Sequence, residues 1–575
     1  MLSRRVCTGI HLRGIHRPGE RDENVGKAEE RAQLHKAIWR IANDLRGSVD
    51  GWDFKAYVLG FLFYRFISEN LSDYLNAEER AAADGDPDFD YARLDDADAE
   101  FAREEIVRTK GFFIRPSELF CNVRAVARSD ENLNERLSRV FRYIEGSAQG
   151  TGSESDLRGL FDDIDVNSAK LGNTVAERNA KLVKIMDAIG DLDLSYGQSS
   201  IDAFGDAYEY LMTMYASSAG KSGGEFFTPQ EVSEVLATIA ADGRARVGRV
   251  YDPCAGSGSL LLKFAKVLGR ENVGAFFGQE INLTTYNLCR INMFLHDVNF
   301  SQFDIALGNT LTAPAHWDAQ PFDAIVSNPP YSTKWVGKDD PALINDPRFS
   351  PAGVLAPKSY ADLAFTMHML DWLDVAGTAA IVEFPGVLYR GGAEAKIRRY
   401  LVDNNFVHAV IQLPPDLFFG TTIATCVIVL KKSRPDSRVL FVDASKEFVR
   451  EGNKNRLAAP NRERVLSLLA ARADEAHVAA MVSQQAIADN DYNLSVSSYV
   501  EPEDTREEVD IVALNAEIAQ IVARQERLRA SIDQIVAELE ADEAGAAAAQ
   551  TSPVGSDAPG AAGAACAGDG TAEEE

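Results

Sequence analysis

The run Arg249-Val250-Tyr251-Asp252-Pro253-Cys254-Ala255-Gly256-Ser257-Gly258-Ser259-Leu260-Leu261-Leu262 decides the fold. A short β-branched and aromatic stretch, a glycine turn and a leucine run read as a strand, a tight turn and the start of a helix. Gly256 and Gly258 let the backbone bend sharply and approach a ligand, while Ser257, Ser259 and the first helix amides can meet its polar groups. Together with Asp252 and Ala255 they form a candidate nucleotide or cofactor pocket, although a lone GxG also suits an ordinary strand-to-helix turn. From about Ser199 to Val442 more short runs of strand character alternate with helical stretches: Ala275-Phe276-Phe277, Ala324-Ile325-Val326, Ala379-Ala380-Ile381-Val382, Val410-Ile411 and Cys426-Val427-Ile428-Val429-Leu430. Such alternation implies an α/β fold with a mostly parallel sheet, helices on both faces, and chemistry in the loops at the strand carboxyl ends.

Glu280 ends the next strand, about 20 residues past the glycine turn, where an acid commonly accepts hydrogen bonds from ribose hydroxyls. Gly308-Asn309-Thr310-Leu311 follows a further short segment and can present Asn309 toward an adenine ring. Upstream, Gly223-Gly224-Glu225-Phe226-Phe227-Thr228-Pro229-Gln230 leads into a helical pattern, with Thr228 expected as N-cap and Pro229 as the first helical residue. Capping needs no aromatics, so Phe226 and Phe227 are expected to wall the cofactor, with Thr228 reaching its polar end.

The strand Phe322-Asp323-Ala324-Ile325-Val326-Ser327 stops at Asn328-Pro329-Pro330-Tyr331. An amino nitrogen conjugated to a heteroaromatic ring is a poor nucleophile because its lone pair is delocalised. Hydrogen bonds from that amine to the Asn328 side-chain oxygen and the Pro329 carbonyl would localise the pair toward an incoming methyl group. Two prolines hold both acceptors in place, and Tyr331 would stack on a base rotated out of its helix. This chemistry needs no metal and no covalent intermediate. The pair Pro253-Cys254 resembles the nucleophile of cytosine-C5 enzymes, but it lies inside the glycine turn, so Cys254 reads as a small residue lining the pocket.

Residues 27–198 are rich in helix formers, with apolar residues at three and four spacing in Leu34-Ile38-Ile41-Leu45 and Leu59-Phe63-Phe66-Ile67, and a polar break from Gly146 to Asp156. The α/β region is expected to span 199–500. A helix over 501–541 follows, in which Ile511, Ile518, Ile532 and Leu539 recur seven apart, as do Leu514, Ile521, Leu528 and Ile535, a coiled-coil seam broken at Gln525. Residues 1–26 form a basic arm without a signal-peptide core, and 542–575 an acidic Ala/Gly tail expected to be disordered.

The 575 residues carry 87 Asp and Glu against 59 Lys and Arg, a net charge of -28, the wrong sign for gripping a polyanionic duplex with the whole surface. If DNA is the substrate, another chain holds much of it. Six scattered Cys and eight scattered His give neither a zinc site nor a disulfide framework, which suits a reducing cytoplasm. No apolar run reaches the roughly 18 residues of a membrane span.

These motifs together resemble the modification subunit of type I restriction-modification systems, over roughly Gln33 to Leu539. EFFTP at this distance before DPCAGSGSLL is the most specific of them; GQE, GNTL, SNPPYS and the segment from Trp52 to Ile67 agree with it. The resemblance implies a Rossmann-like S-adenosylmethionine-dependent methyltransferase domain, preceded by an all-α domain and followed by a coiled-coil helix. It also implies cofactor contacts from Glu225 to Gln230, from Ser257 to Ser259 and from Glu280, with Asn328 to Tyr331 catalytic and one of Phe418 or Phe419 beside the flipped base. Members of that family act on double-stranded DNA at a sequence chosen by a specificity subunit. Two modification subunits bind each specificity subunit, and a restriction subunit completes the endonuclease. The terminal seam would then dock on the specificity subunit.

Adenine N6 and cytosine N4 are both exocyclic amines, and only the resemblance favours adenine. An N5-glutamine protein methyltransferase could use the same Asn-Pro-Pro-Tyr geometry but has no long terminal helix. An inactive scaffold would not keep Asp252, Glu280 and Asn328 to Tyr331 intact. A single chain that also cleaves DNA would need a nuclease motif, and none stands out.

Overall fold

Alternate residues along the central strands are sorted onto two apolar cores, as the period of two in a pleated strand requires. Val250, Ala324, Val326, Ala380 and Val382 belong to one buried cluster, and Tyr251, Ile325, Ala379 and Ile381 to the other. The computed structural model describes residues 33–41, 53–83, 85–194, 200–218, 228–418, 421–452, 454–503 and 511–549. Among them the strands are β1 (Val247–Asp252), β2 (Val273–Glu280), β3 (Phe303–Leu307), β4 (Phe322–Ser327), β5 (Leu373–Glu383), β6 (Val407–Gln412), β7 (Cys426–Leu430), β8 (Val439–Asp443), the small hairpin β9 (Val449–Glu451) and β10 (Lys454–Arg456), and β11 (Ala479–Val482).

Nine of these form one sheet in the order β11-β8-β6-β7-β5-β4-β1-β2-β3. Neighbours are parallel except at β7, which runs antiparallel between β5 and β6, and at β11 on the edge. The mostly parallel sheet read from the sequence is therefore present. Strand order reverses beside β1, which pairs with β2 on one side and β4 on the other. The loops after β1 and β4 diverge at that point and open a crevice above the sheet.

The helical residues before the sheet share the first core. Leu34, Leu59, Phe63, Phe66 and Ile67 are buried in the cluster that holds Val250 and Val326, and the described residues up to Pro502 form one compact unit. Tyr57 to Ile67 lies in the helix Asp53–Ala81. Its Arg65 donates to the carbonyls of Ile189 and Leu192 at 2.6 and 2.9 Å. No helix among the described residues is long and apolar enough to cross a membrane. Buried Arg290, on the helix Leu283–Leu295 that follows β2, donates to the carbonyls of Ser155, Asp156 and Arg158. These bonds tie the helical region to the helix that follows β2.

The second unit contains the helix Ile511–Ala549. The apolar residues of the expected seam are exposed along it. The helix continues past Ala541, the expected boundary, because Ala, Glu and Asp there need no buried face to keep helical backbone geometry, and Ala is the strongest helix former. Residues 1–26 and 550–575 lie outside the described residues. The helix Leu133–Ser147 likewise runs two residues, Gly146 and Ser147, into the expected polar break.

Candidate active site

The glycine turn leaves β1 as the sequence implies. Gly256 and Gly258 have φ of 55° and 79°, left-handed values that disfavour a side chain. A Cβ at Gly258 would also lie 2.9 Å from Cys289 Sγ. The helix Ser259–Leu268 follows directly. Ser257 and Ser259 are buried, and their hydroxyls bond each other at 2.8 Å, so both serve the turn itself. Glu280 closes it from β2: one carboxylate oxygen accepts from the Gly256 amide at 3.0 Å, the other from the Asn282 amide at 2.8 Å. Ala255 is fixed by its amide, which donates to the Gln279 carbonyl at 2.9 Å.

Asp252 is fully buried. One carboxylate oxygen accepts from the Cys254 amide and the Ser327 hydroxyl, each at 2.9 Å. The other has no hydrogen-bond partner among the described residues. Burial pushes this carboxyl up to about 7, and the nearby Glu280 adds to the rise. An unpartnered buried carboxylate oxygen beside a glycine turn fits a cationic or hydrogen-donating ligand group.

A cavity of about 420 Å³ opens over the ends of β1 to β4, within the roughly 300–1,000 Å³ of small-molecule sites. Cys254, Glu280, Asn309, Leu311, Pro330 and Phe365 are among its lining residues. Asn309 uses its side-chain oxygen to accept from the Leu311 amide at 3.0 Å, which leaves its amide nitrogen as the group able to donate to a ligand. Burial pushes the Cys254 thiol well above its ordinary value, and Asp252 and Glu280 act in the same direction. A neutral thiol at this place lines the cavity and is a poor nucleophile.

Buried Arg348 holds the far wall. Its guanidinium donates to the carbonyls of Thr310 and Leu311 at 2.8 and 2.9 Å and pairs with Asp346 at 2.7 Å. His368 bridges Arg348 to the Tyr251 hydroxyl in β1.

Asn328 to Tyr331 leave β4 beside this cavity. The Ser332 amide donates to Asp362 at 3.0 Å, pinning the turn to the start of the helix Asp362–Trp372. The Tyr331 hydroxyl donates to the Asn328 side-chain oxygen, and the Asn328 amide nitrogen donates to the Thr228 hydroxyl oxygen at 3.1 Å. Thr228 is therefore not the N-cap that the sequence suggested. The helix is Gln230–Ala241 with Pro229 at the cap and no side-chain capping bond, because the Thr228 hydroxyl faces the Asn-Pro-Pro-Tyr turn. Gln230, next in the chain, has both side-chain amide atoms buried without a partner among the described residues. Glu225, Phe226, Phe227 and Phe419 lie outside the described residues.

Two residues at this end of the sheet, Phe384 and Glu383, carried no sequence signal, whereas Phe418 was one of the two aromatics that the resemblance implied beside the base. Phe384 and Phe418 enclose the Tyr331 ring, with centroids 6.3 and 6.4 Å away. Glu383 ends β5, the neighbour of β4, fully buried, with one oxygen accepting from Thr366 at 2.7 Å and the other unpartnered among the described residues. Burial pushes its carboxyl well above the ordinary range, and Asp362 adds to this. An acid at a strand end resembles any surface acid until the neighbouring strand is known.

A glycine turn at a switch point, set against paired acceptors on the adjoining strand, belongs to the Rossmann-like methyltransferases, and that class describes this domain. A sequence model of the N-6 DNA methylase family matches residues 199–508, and one of the HsdM N-terminal domain matches 34–189. The type I restriction enzyme MpnII methylase subunit of Mycoplasma pneumoniae is 48% identical over 90% of this chain and 98% of its own length. The MjaVII methylase subunit of Methanocaldococcus jannaschii is 27% identical over 89% of this chain and 85% of its own. The crystal structure of a type I restriction-modification system methyltransferase subunit from Streptococcus thermophilus superposes with a TM-score of 0.73 at 36% identity, covering 82% of this chain and all of that one. The chain belongs to the methylase subunits of type I restriction enzymes, within the N-6 DNA methylase family, and is a DNA methyltransferase.

Proposed function

We propose that this chain transfers a methyl group from S-adenosylmethionine to N6 of an adenine flipped out of double-stranded DNA, at a sequence chosen by a separate specificity subunit. The single observation that carries the reading is the Asn328 side-chain oxygen, fixed at the end of β4 with a hydroxyl donor already on it. An adenine amine would take that donor's place. The Pro329 carbonyl is the second acceptor, Pro330 stiffens the turn, and Tyr331 with Phe384 and Phe418 would enclose the base.

S-adenosylmethionine supplies an electrophilic methyl group. Asp252 would meet its ammonium, Glu280 its ribose hydroxyls through the lone pairs left by the Gly256 and Asn282 bonds, and Asn309 its adenine through the amide nitrogen. Ala255, Gly256, Ser257, Gly258 and Ser259 shape the turn beneath it. Glu225 to Gln230 would cover it, on the family resemblance. Adenine is favoured over cytosine by the family match.

The acidic balance supports a partner that supplies much of the DNA grip: two copies of this chain on one specificity subunit in the cytoplasm, with a restriction subunit in the full endonuclease. Residues 27–198, 199–500 and 501–541 would be the helical, catalytic and docking parts, the last with its seam against the specificity subunit.

The test co-expresses the chain with its specificity subunit and maps modified bases by long-read sequencing. Wild type should yield N6-methyladenine at one motif, and Asn328→Ala none. Equal methylation by both would overturn the catalytic assignment, and N4-methylcytosine would overturn the choice of base.

A further inference from the structure

Asn328 needs more than a fixed backbone. A primary amide presents an acceptor on one side and a donor on the other, and turning it over swaps them. The adenine amine is a donor, so only the orientation with the oxygen toward the base is productive. Asn328 and Thr228 are both buried, so water does not compete for the amide nitrogen. That nitrogen donates to the Thr228 hydroxyl oxygen at 3.1 Å, across 100 positions of sequence. On the other side the Tyr331 hydroxyl donates to the amide oxygen. Burial, with Glu383, Cys426 and Asp362, holds the Tyr331 phenol well above its ordinary value, so it remains a donor. The tyrosine proton thus occupies the place an amine proton would take, and it marks the side from which the base enters.

We propose that Thr228 is a positioning residue for methyl transfer: its hydroxyl oxygen holds the Asn328 amide in the orientation that turns the carbonyl oxygen to the target amine. This rests on the catalytic reading of Asn328 and adds a role that neither capping nor cofactor contact requires. The helix Gln230–Ala241 that begins just after Thr228 packs against β4 and β5, so the hydroxyl is anchored to the sheet that carries the asparagine. Losing this acceptor removes one bond that favours the productive orientation. The turned-over amide would place an NH₂ group against the incoming amine, donor against donor.

The experiment uses the chain in complex with its specificity subunit and cognate unmethylated DNA, comparing wild type, Thr228→Val, Thr228→Ser and Asn328→Ala. Valine keeps the shape of threonine without the acceptor, and serine keeps the acceptor without the methyl. Thr228→Val should lower kcat by as much as ~10²-fold, the scale of a misplaced reacting group. KM for DNA should stay within about threefold, and the loss of kcat should persist at saturating S-adenosylmethionine, where a weakened cofactor contact of residues 225–230 no longer limits the rate. Thr228→Ser should recover most of the rate. A wild-type kcat in Thr228→Val, a loss confined to KM for the cofactor, or a serine variant as slow as the valine one would each overturn the proposal. An active Asn328→Ala would instead overturn the catalytic reading beneath it, so the two failures are distinguishable.

Discussion

Cofactor affinity should rise with pH through neutrality, and Asp252 sets the size of the effect. Its carboxyl is fully buried with one oxygen unpartnered among the described residues, and burial raises it to about 7. A cationic ammonium favours the ionised form, so binding below pH 7 must first remove a proton. With a folded value of about 7, the ionised fraction falls from roughly three-quarters at pH 7.5 to about 3% at pH 5.5, a ~25-fold loss of affinity. Binding at pH 6.5 should release about 0.8 proton.

The sign can be separated from unfolding. A carboxyl with a raised folded value favours the unliganded fold at low pH, and that contribution is lost as pH rises from the ordinary aspartate range toward about 7. Weaker binding at pH 5.5 is therefore not this group unfolding the protein. The assay is calorimetric titration with S-adenosylhomocysteine, which keeps the ammonium, in buffers of different ionisation heat, with thermal melts of the unliganded chain alongside. Asp252→Asn should bind about 10–100-fold more weakly at pH 7.5, the scale of a hydrogen bond to a charged group, and should lose the pH slope. A flat pH profile in wild type, or an unchanged slope in Asp252→Asn, would refute the placement of the ammonium on Asp252.

Three further outcomes can be checked by chemical or thermal unfolding. Arg348→Met should destabilise the fold by ~3–5 kcal/mol, because half-buried Asp346 and the Thr310 and Leu311 carbonyls lose their partner. It should also raise the cofactor Kd, since those two residues line the cavity. Burial and Arg348 hold His368 well below its ordinary value, and His408 is lowered to about 3 for the same kinds of reason. Both stay neutral when folded, so stability should be full above about pH 6.5 and fall below it, by up to ~1.4 kcal/mol per pH unit for each group. His368→Gln should shrink that slope in urea titrations. Trp372→Phe should change stability by no more than about 1 kcal/mol, well short of the ~3–5 kcal/mol for Trp→Ala, because the buried indole N–H it removes has no partner among the described residues.

Local features of the fold were legible because short-range physics produces them. The glycine turn, the β-branched runs and the proline-stiffened end of β4 are set by sterics within a few residues, and each strand carries its two faces in its own alternation. Strand direction is not encoded that way. The run Cys426 to Leu430 reads like its parallel neighbours, yet it enters antiparallel between β5 and β6. Leu311 and Phe365 line the cavity but look like ordinary core residues, because an apolar side chain has the same composition in a wall as in a core. The helical residues read as a domain of their own, and no local pattern shows that their apolar stripes share a core with the sheet.

Taken alone, the sequence determined the chemistry on offer: an amide acceptor, a rigid turn, a stacking ring, and acids at the ends of β1 and β2. The tertiary structure decided what each of these faces. Thr228 has the sequence of a helix cap, and its hydroxyl holds Asn328 instead. Ser257 and Ser259 have the look of ligand contacts, and the fold sets their hydroxyls on each other as well. A hydrogen bond reaches about 3 Å, so the partner of a buried hydroxyl depends on which distant segment the sheet brings to that point, and no local pattern carries that information.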